Sequence, residues 1–254
     1  NVSEYFRTEE KPDGIFQHSY DKTTGAVSII LHKGDFSAFD MYRSAASGKA
    51  EKDDAIILGA SPLEDKDDYV GTSPSKNEGV KSVTIDVNGA TGINYIAGIG
   101  FKSCQVGEGP IEITMNSGTV DYIVGGVHYG SGVNAEASGI GVFAEKYEGD
   151  ISIKVTGGTV TGIMGGHNNR SDKIVDLLRN ATTKEYADLM ANKHWSVGGN
   201  ISIEVTGGTV GYICGAGGDR YSVDQDVTVC VSGGKVEGDI TGGPTNTYSE
   251  VGGN

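Results

Sequence analysis

Cysteine, proline and tryptophan are scarce in this chain of 254 residues, which has three Cys, five Pro and one Trp. So few prolines exclude collagen and proline-rich linkers. Three cysteines cannot all pair within one chain, and none has the Cys-x-x-Cys or Cys/His spacing of a zinc site. We therefore expect Cys104, Cys214 and Cys230 to be small apolar side chains or weakly exposed thiols, although a bridge between Cys214 and Cys230 is conceivable.

Long apolar runs and positive charge are also missing. No run of 18 apolar residues occurs, so the sequence predicts no transmembrane helix. The chain has 20 Lys and Arg against 34 Asp and Glu, a formal net charge of −14. Because phosphate binding depends on Lys and Arg, we expect neither nucleic acid nor an anionic membrane as a partner. The acidic surplus is either a solvated surface or a source of carboxylate ligands for Ca²⁺.

Glycine is abundant, with 41 residues, and it marks an internal repeat. Five segments share alternating apolar residues, a glycine corner and a second short apolar stretch; they begin at Val83, Ile111, Ile151, Ile201 and Val227. The start-to-start spacings are 28, 40, 50 and 26 residues. Period-two alternation predicts a strand with one buried face, and glycine lets the chain turn a corner. Each unit is thus predicted to be two strands that hide their apolar face by stacking on the next unit.

The stretches ISIKVTGGTVTGIMGG, from Ile151, and ISIEVTGGTVGYICGA, from Ile201, resemble rungs of the right-handed parallel β-helix of pectate-lyase-like proteins. They also resemble glycine-rich arrays in secreted and surface proteins of anaerobic Firmicutes. Some of those arrays are similar to carbohydrate-binding β-helix domains of cellulose-degrading clostridia. The resemblance covers about residues 80–243 and implies an all-β solenoid in a secreted or cell-surface bacterial protein, but it is weak for function. A sandwich of stacked hairpins is the structural alternative.

Two insertions interrupt the repeat, at about residues 127–147 and 167–197. Both follow the same Gly-Gly corner, so we expect them to leave from one edge of the stack, where binding usually lies. In the second insertion Ile174, Leu177 and Leu178 recur at helical spacing, which predicts one small helical insertion.

Residues 1–79 lack the repeat, but 26–34 and 54–60 look like strands. A terminal rung exposes an apolar end, so 1–79 are predicted to form an N-terminal cap with the first strands, and 80–254 the rungs. The sequence begins with Asn, which suggests a processed product, and it stops at SEVGGN, where another rung is expected to begin. We expect either a truncated chain or an end completed by another copy.

Aromatic residues provide one set of candidate ligand-binding positions. Tyr122 and Tyr212 are equivalent in their units, and Gly162 occupies that position in the unit between them. With one rung per ~4.8 Å, the two rings are expected about 9–10 Å apart. Aromatic rings commonly meet the apolar face of a sugar, but packing against an insertion explains them equally well. Trp195 is either an anchor for the second insertion or an exposed sugar platform.

Titratable residues near the Gly-Gly corners provide the second set. These candidates are His128, His167, Asn168, Arg170, Asp219 and Arg220. A polysaccharide lyase of the resembling fold would use a base, such as Arg170 or Arg220, and carboxylates that hold Ca²⁺, such as Asp219, Asp224 and Asp226. A glycoside hydrolase would need paired carboxylates, and no outward pair recurs on adjacent strands.

Polar side chains on the outward face of the strands are predicted to form ladders between rungs. One such ladder comprises Asn88, Asn116, Thr156, Thr206 and Ser232. Lys154 and Glu204 align as an exposed ion pair.

No G-x-S-x-G, P-loop or H-E-x-x-H motif occurs. The first hypothesis is an extracellular, non-catalytic β-helix that binds polysaccharide or assembles with copies of itself at the cell surface, as an adhesin does. The alternative is a lyase or hydrolase acting on an acidic polysaccharide. Ca²⁺ is the one cofactor considered.

Overall fold

The structure is a computed structural model with all-β architecture, as predicted. It describes residues 5–37, 39, 55–59, 80–101, 106–128, 147–168, 182, 184, 197–218, 223–243 and 251–254. The strands of this described part are, in chain order, β1 (Phe16–Asp21), β2 (Ala26–Asp35), β3 (Ile56–Leu58), β4 (Ser82–Ala97), β5 (Gly100–Phe101), β6 (Ile111–Val124), β7 (Val127–His128), β8 (Ile151–Val155), β9 (Thr159–Met164), β10 (Ile201–Val205), β11 (Thr209–Cys214), β12 (Val227–Val231), β13 (Lys235–Val236) and β14 (Ile240–Thr241).

The first stretches of the units form one parallel stack, in the order β2-β4-β6-β8-β10-β12. Ile201 pairs with Ile151 on one side and with Val227 on the other, without any shift of register. Because side chains alternate along a strand, equivalent apolar residues lie in columns. Ile151 and Ile201 are each 1% exposed within the core. The predicted parallel register of the units is confirmed.

The second stretches of the units form a further set of parallel pairs. β9 pairs with β6 on one side and with β11 on the other. Val160 pairs with Val120 and with Val210, and all three are buried. The apolar side chains of both sets therefore belong to one core.

The first two units differ from the prediction of two separate strands per unit. A single strand runs through the corner in each, over 16 residues in β4 and 14 in β6. Register shifts between Val87 and Ile93 mark the bend. The later units break at the corner instead, where Gly158 and Gly208 have φ of 80° and 78°. Glycines at positive φ also lie in the corners of the first two units, at Gly89, Gly92 and Gly118, so pairing with the neighbouring strand continues through those corners despite them.

A glycine column follows the second stretches of the units. It comprises Gly59, Gly98, Gly125, Gly165, Gly215 and Gly242. A Cβ on Gly165 would collide with the carbonyl oxygen of Gly215, and the same collision recurs between successive members of the column. The Gly165 N–H donates to the carbonyl of Cys214 at 2.9 Å. Neighbouring units approach so closely here that no side chain fits.

An Asx column precedes the first stretches of the units and comprises Asp150, Asn200, Asp226 and Asn254. In each step the side-chain Oδ1 of one member accepts the backbone N–H of the next. The distances are 2.7 Å from Asn200 N to Asp150, 3.2 Å from Asp226 N to Asn200 and 2.8 Å from Asn254 N to Asp226. The column thus joins consecutive units through side-chain oxygens.

Three residues before each member of the Asx column lies another column, Tyr147, Val197, Val223 and Val251, connected by parallel bridges. Tyr147 is 1% exposed, and its hydroxyl donates to the carbonyl of Gly109 at 2.5 Å. Burial, and then the nearby Asp150, raise the pKa of Tyr147 above its ordinary value. The phenol therefore stays protonated as part of the core.

The N-terminal part begins with an antiparallel pair, β1 and β2, and β2 then pairs parallel to β4. The strands predicted at 26–34 and 54–60 are confirmed as β2 and β3. Phe16, Phe36 and Phe39 pack against one another and are at most 1% exposed. An aromatic cluster therefore extends the core at this end of the stack; the antiparallel pair was not predicted.

Both insertions leave at the same place in their units, as predicted, and they also return at the same place. His128 is bridged to Asn168, where they leave, and Tyr147 to Val197, where they return. Between those points the insertions lie outside the described residues, except for Thr182 and the helical Lys184, and so does the predicted helical segment. In the described residues, no helix is long and apolar enough to cross a membrane.

Candidate functional site

Tyrosines line up across the second stretches of the units. Tyr95 pairs with Tyr122, Tyr122 with Gly162, and Gly162 with Tyr212. The rings of Tyr95 and Tyr122 stack with centroids 5.0 Å apart and an interplanar angle of 25°. All three tyrosines are half-buried. The predicted alignment of Tyr122 and Tyr212 on either side of Gly162 is confirmed.

The ring of Tyr212 lies over Gly162. A Cβ placed on Gly162 would collide with Cζ of Tyr212 and would lie 2.6 Å from Cε1 and 2.8 Å from the hydroxyl oxygen. The phenol therefore occupies the space that a side chain at position 162 would fill. Gly162 takes the place of a tyrosine in this column at β9, and the ring of Tyr212 fills the space above it.

Polar side chains lie beside the tyrosines on the same strands. Thr159 pairs with Thr119 and with Thr209, so three hydroxyl-bearing residues form a second column. Between the two columns, Asn94 Nδ2 donates to Asp121 Oδ2 at 3.1 Å. We call the outward side chains of residues 91–97, 119–124, 159–164 and 209–214 the tyrosine face. Asp121 is the one charged residue in these four segments.

One edge of the tyrosine face is apolar. Val124, Met164 and Cys214 pair in register, are at most 6% exposed, and pack with Tyr122. This packing holds Tyr122 from one side while Tyr95 stacks on the other. Cys214 and Cys230 are in no disulfide in the described part of the chain, and the Cys214 thiol donates to the carbonyl of Gly217. Cys104 lies outside the described residues.

His128 lies behind Tyr95, away from solvent. The imidazole is 2% exposed and stacks on the Tyr95 ring at a centroid distance of 3.8 Å. The Asn168 amide nitrogen is 3.3 Å from His128 Nδ1. His128 therefore supports the tyrosine column from within.

His167 is fully buried beside it, and its Nδ1 accepts the N–H of Val127 at 2.9 Å. Buried this deeply, His128, His167 and Asn168 offer little surface to an extended ligand, and their ligand-binding role stays a prediction. The remaining candidates, Arg170, Trp195, Asp219 and Arg220, lie outside the described residues.

Two of the three predicted metal ligands are described, and the structure gives one of them a backbone partner. Asp226 belongs to the Asx column, where its Oδ1 accepts the N–H of Asn254. Asp224 donates its backbone N–H to the carbonyl of Val197 at 2.9 Å. Among the residues that the structure describes, no group of three or more His, Cys, Asp or Glu could hold a metal ion. The Ca²⁺ site stays a prediction.

The first three members of the predicted polar ladder are joined by side-chain hydrogen bonds, whereas Thr206 donates to the backbone carbonyl of Val155. Asn116 Nδ2 donates to Asn88 Oδ1, and Thr156 Oγ1 donates to Asn116 Oδ1, each at 2.9 Å. The predicted pair of Lys154 and Glu204 also forms, with 2.9 Å between Nζ and Oε2. Both side chains of that pair are more than 40% exposed, so it contributes little to stability.

Tyr95 and the threonine column were missed by reasoning from the sequence. The signal is present in the sequence, because NYIAG, DYIVG and GYICG share Tyr-Ile at the same distance before the glycine column. The Asx column has a signal as well, in YEGD, VGGN, VDQD and VGGN.

Comparison of the chain with protein-family models, with curated proteins and with solved structures gave no significant match.

Proposed function

We propose that the chain winds as a right-handed parallel β-helix and that its tyrosine face binds polysaccharide without cleaving it. The two parallel sets of strands supply two sides of each turn. The bridged column of Tyr147, Val197, Val223 and Val251 supports a third side. Parallel crossover connections are right-handed in nearly all proteins, which supports the proposed hand. We further propose that the protein acts outside a bacterial cell or on its surface, where extended polysaccharides occur.

The observation that carries the binding proposal is the tyrosine column beside the threonine column. Sugars present apolar C–H faces and many hydroxyl groups. The Tyr212 ring over Gly162 offers a rigid apolar body with a polar end. Tyr95 and Tyr122 stack on each other, so what they offer is chiefly their polar ends. Threonine offers a hydroxyl that both donates and accepts. Asp121 adds carboxylate oxygens and Asn94 amide groups between the columns. These groups are held in register on a rigid sheet, so little order is lost when a ligand binds.

The charge of the tyrosine face supports binding rather than cleavage. Glycosidases use two carboxyl groups about 5–10 Å apart on either side of the scissile bond. The four segments of the tyrosine face contain one carboxylate, Asp121. Two more carboxylates, Glu237 and Asp239, lie beside β11 in the next unit, and Glu237 forms an ion pair with Lys235. Asp121, on β6, suits hydrogen bonding to sugar hydroxyls.

Affinity electrophoresis through gels that contain soluble polysaccharides tests the proposal. We expect the wild type to be retarded by at least one of xyloglucan, galactomannan, mixed-linkage β-glucan and polygalacturonate, without release of reducing ends. Tyr212→Ala should weaken binding at least tenfold, because it removes the ring over Gly162. The matched control is Tyr20→Ala, since Tyr20 is a half-buried tyrosine on β1, outside the tyrosine face. Retardation by none of the four polysaccharides, or equal losses for both variants, would overturn the proposal.

Assembly with other copies, expected from the sequence, stays a prediction. The observation that favours it is the apolar surface at β12 and β14, where Val231 is 42% exposed and Ile240 49%. β12 pairs with β10 and has no second strand beside it in the described part of the chain. Sedimentation velocity over a hundredfold range of concentration, with Val231→Lys as the comparison, tests it. Equal sedimentation coefficients throughout would contradict assembly.

A further inference from the structure

We infer that the tyrosine face takes a neutral, extended glycan that runs across β4, β6, β9 and β11, with Gly162 holding open the space in which Tyr212 meets it. The inference rests on the proposed function and adds the direction, the charge class and a positioning residue. The direction follows from the strand register, the charge class from the residues of the tyrosine face, and the positioning role from the space above Gly162.

The direction follows from the register. Tyr95, Tyr122 and Tyr212 lie on different strands, and so do Thr119, Thr159 and Thr209. Threonine hydroxyls therefore repeat across three strands, at about 4.8 Å per strand. Along one strand the longest such series is the pair Thr159 and Thr161 on β9. An extended glycan also presents the same groups once per sugar residue. A chain that lies across the strands can therefore meet more equivalent hydroxyls than a chain along one strand.

The charge class follows from the composition of the tyrosine face. Its four segments contain Asp121 and no Lys, Arg or His. Two basic residues lie beside them: His128, which stacks on Tyr95, is 2% exposed, and Lys235, which pairs with Thr209 from β13, forms an ion pair with Glu237. Uronate and sulfate groups are bound by cationic side chains, and a carboxylate repels them. Asp121 accepts a hydrogen bond from Asn94, and the hydroxyls of a neutral sugar are donors that a carboxylate also accepts. The tyrosine face therefore favours sugars without charge.

The positioning role of Gly162 follows from the space above it. Positive φ angles occur at other glycines and not at Gly162, so its backbone conformation is open to alanine. A Cβ at Gly162 would contact Cζ, Cε1 and the hydroxyl oxygen of Tyr212. Gly162→Ala therefore moves the ring and leaves every hydroxyl and aromatic group of the face in the chain. Loss of binding in this variant would report the position of Tyr212 and not merely its presence.

Isothermal titration with defined oligosaccharides tests the inference. The neutral probes are xyloglucan, mannan and mixed-linkage β-glucan oligosaccharides of two to eight sugars, and the anionic probes are oligogalacturonates of the same lengths. We expect a neutral series to bind with affinity that rises up to about four sugars, one per strand, and then levels off. Oligogalacturonates should bind at least tenfold more weakly. Raising NaCl from 50 to 500 mM should change the neutral affinity less than twofold, because screening acts only between charges.

Gly162→Ala should weaken binding at least tenfold, as Tyr212→Ala does. The matched control is Gly243→Ala, because a Cβ on Gly243 has no atom within 4 Å. Thermal unfolding of both variants checks that the fold is kept.

The outcomes separate the inference from the proposed function. If oligogalacturonates bind as well as neutral probes while Tyr212→Ala still abolishes binding, the proposed function stands and the charge class is wrong. Unchanged affinity in folded Gly162→Ala overturns the positioning role of Gly162. An affinity that does not rise with oligosaccharide length beyond a single sugar overturns the proposed direction of the glycan. If no probe and no polysaccharide binds, both fail.

Discussion

The glycine column and the Asx column connect the same repeat units in opposite ways. In the glycine column the backbones of neighbouring units come so close that a Cβ on Gly165 would collide with the carbonyl of Gly215. In the Asx column the backbones are joined through an added group, since Asn200 donates its N–H to the side chain of Asp150. One connection depends on the absence of a side chain and the other on the presence of a side-chain oxygen.

The two columns should therefore tolerate substitution differently. No residue other than glycine lacks a Cβ, so every member of the glycine column before Gly242 allows no exchange without movement of a neighbouring unit. Both Asp and Asn carry an Oδ1 acceptor, and both occur in the Asx column. One corner of the repeat therefore accepts only glycine and another accepts either Asp or Asn, although the stacked strands are equally far apart at both.

Gly165→Ala should give the largest effect. The new methyl group meets backbone in the middle of the stack, and backbone cannot rotate away as a side chain can, so we expect the free energy of unfolding to fall by about 3 kcal/mol. Urea unfolding followed by circular dichroism measures it. Gly243→Ala, with open space around its Cβ, should change stability little. A loss of less than about 1 kcal/mol in Gly165→Ala, on the scale of ordinary substitutions, would show that the units can separate cheaply.

Tyr147→Phe tests the start of the segment that leads into the Asx column. It removes the hydroxyl that donates to Gly109, which should cost about 1–2 kcal/mol at neutral pH because the carbonyl is left in a part-buried place. The pKa of Tyr147 is raised in the folded protein, so its contribution is complete below the ordinary tyrosine value near ~10 and is lost as pH rises above it. Urea unfolding at pH 8 to 11 should show a steeper alkaline loss in the wild type than in Tyr147→Phe. Parallel alkaline slopes would contradict the burial of the phenol.

Asn200→Ala should have a smaller effect, because its hydrogen bonds are exposed. The variant removes the acceptor for the Asp226 N–H and the donor to Asp150, and we expect a loss of about 1 kcal/mol. Asp226→Asn is the matched control, since it keeps an Oδ1 acceptor for Asn254 and should lose less than about 0.5 kcal/mol. The midpoint of urea unfolding compares them. A loss in Asp226→Asn as large as that in Asn200→Ala would mean that the charge of Asp226 contributes as much to stability as an acceptor oxygen does in this column.

Lys154→Ala should have the smallest effect, within about 0.5 kcal/mol of the wild type. Its partner Glu204 lies on the neighbouring strand in the same way as members of the two columns do, but the pair is exposed to water. Urea unfolding in low and high salt measures the contribution. A salt-dependent loss above about 1 kcal/mol would mean that this exposed ion pair contributes as much to the free energy of unfolding as a hydrogen bond of the Asx column.

The register of Ile151, Ile201 and Val227 could be predicted because two periods agree there. Alternation within a strand fixes which side chains are buried, and the repeat fixes which residues are neighbours. Neither period was informative for β1, which lies outside the repeat and pairs antiparallel to β2. The continuous strands β4 and β6 were not predicted. Whether a corner interrupts a strand depends on pairing with the neighbouring strand as well as on local sequence.

The tyrosine column was only partly predicted, since Tyr95 lies in the first repeat unit, whose corner sequence departs from the later ones. The burial of His128 and His167 could not be predicted, because each is at the boundary of an insertion, where alternation ends. Sequence shows that titratable side chains gather at that corner, but the direction in which each one points depends on single bridges such as that between His128 and Asn168.

The order of residues in the Asx column has an electrostatic consequence for an acidic chain. Carboxylate and carboxamide alternate along it, as Asp150, Asn200, Asp226 and Asn254. Aspartate at every position would set like charges about 4.8 Å apart, whereas alternation roughly doubles that distance and brings it near the Debye length of physiological salt. A protein of net charge −14 thereby stacks equivalent corners without a continuous line of mutual repulsion.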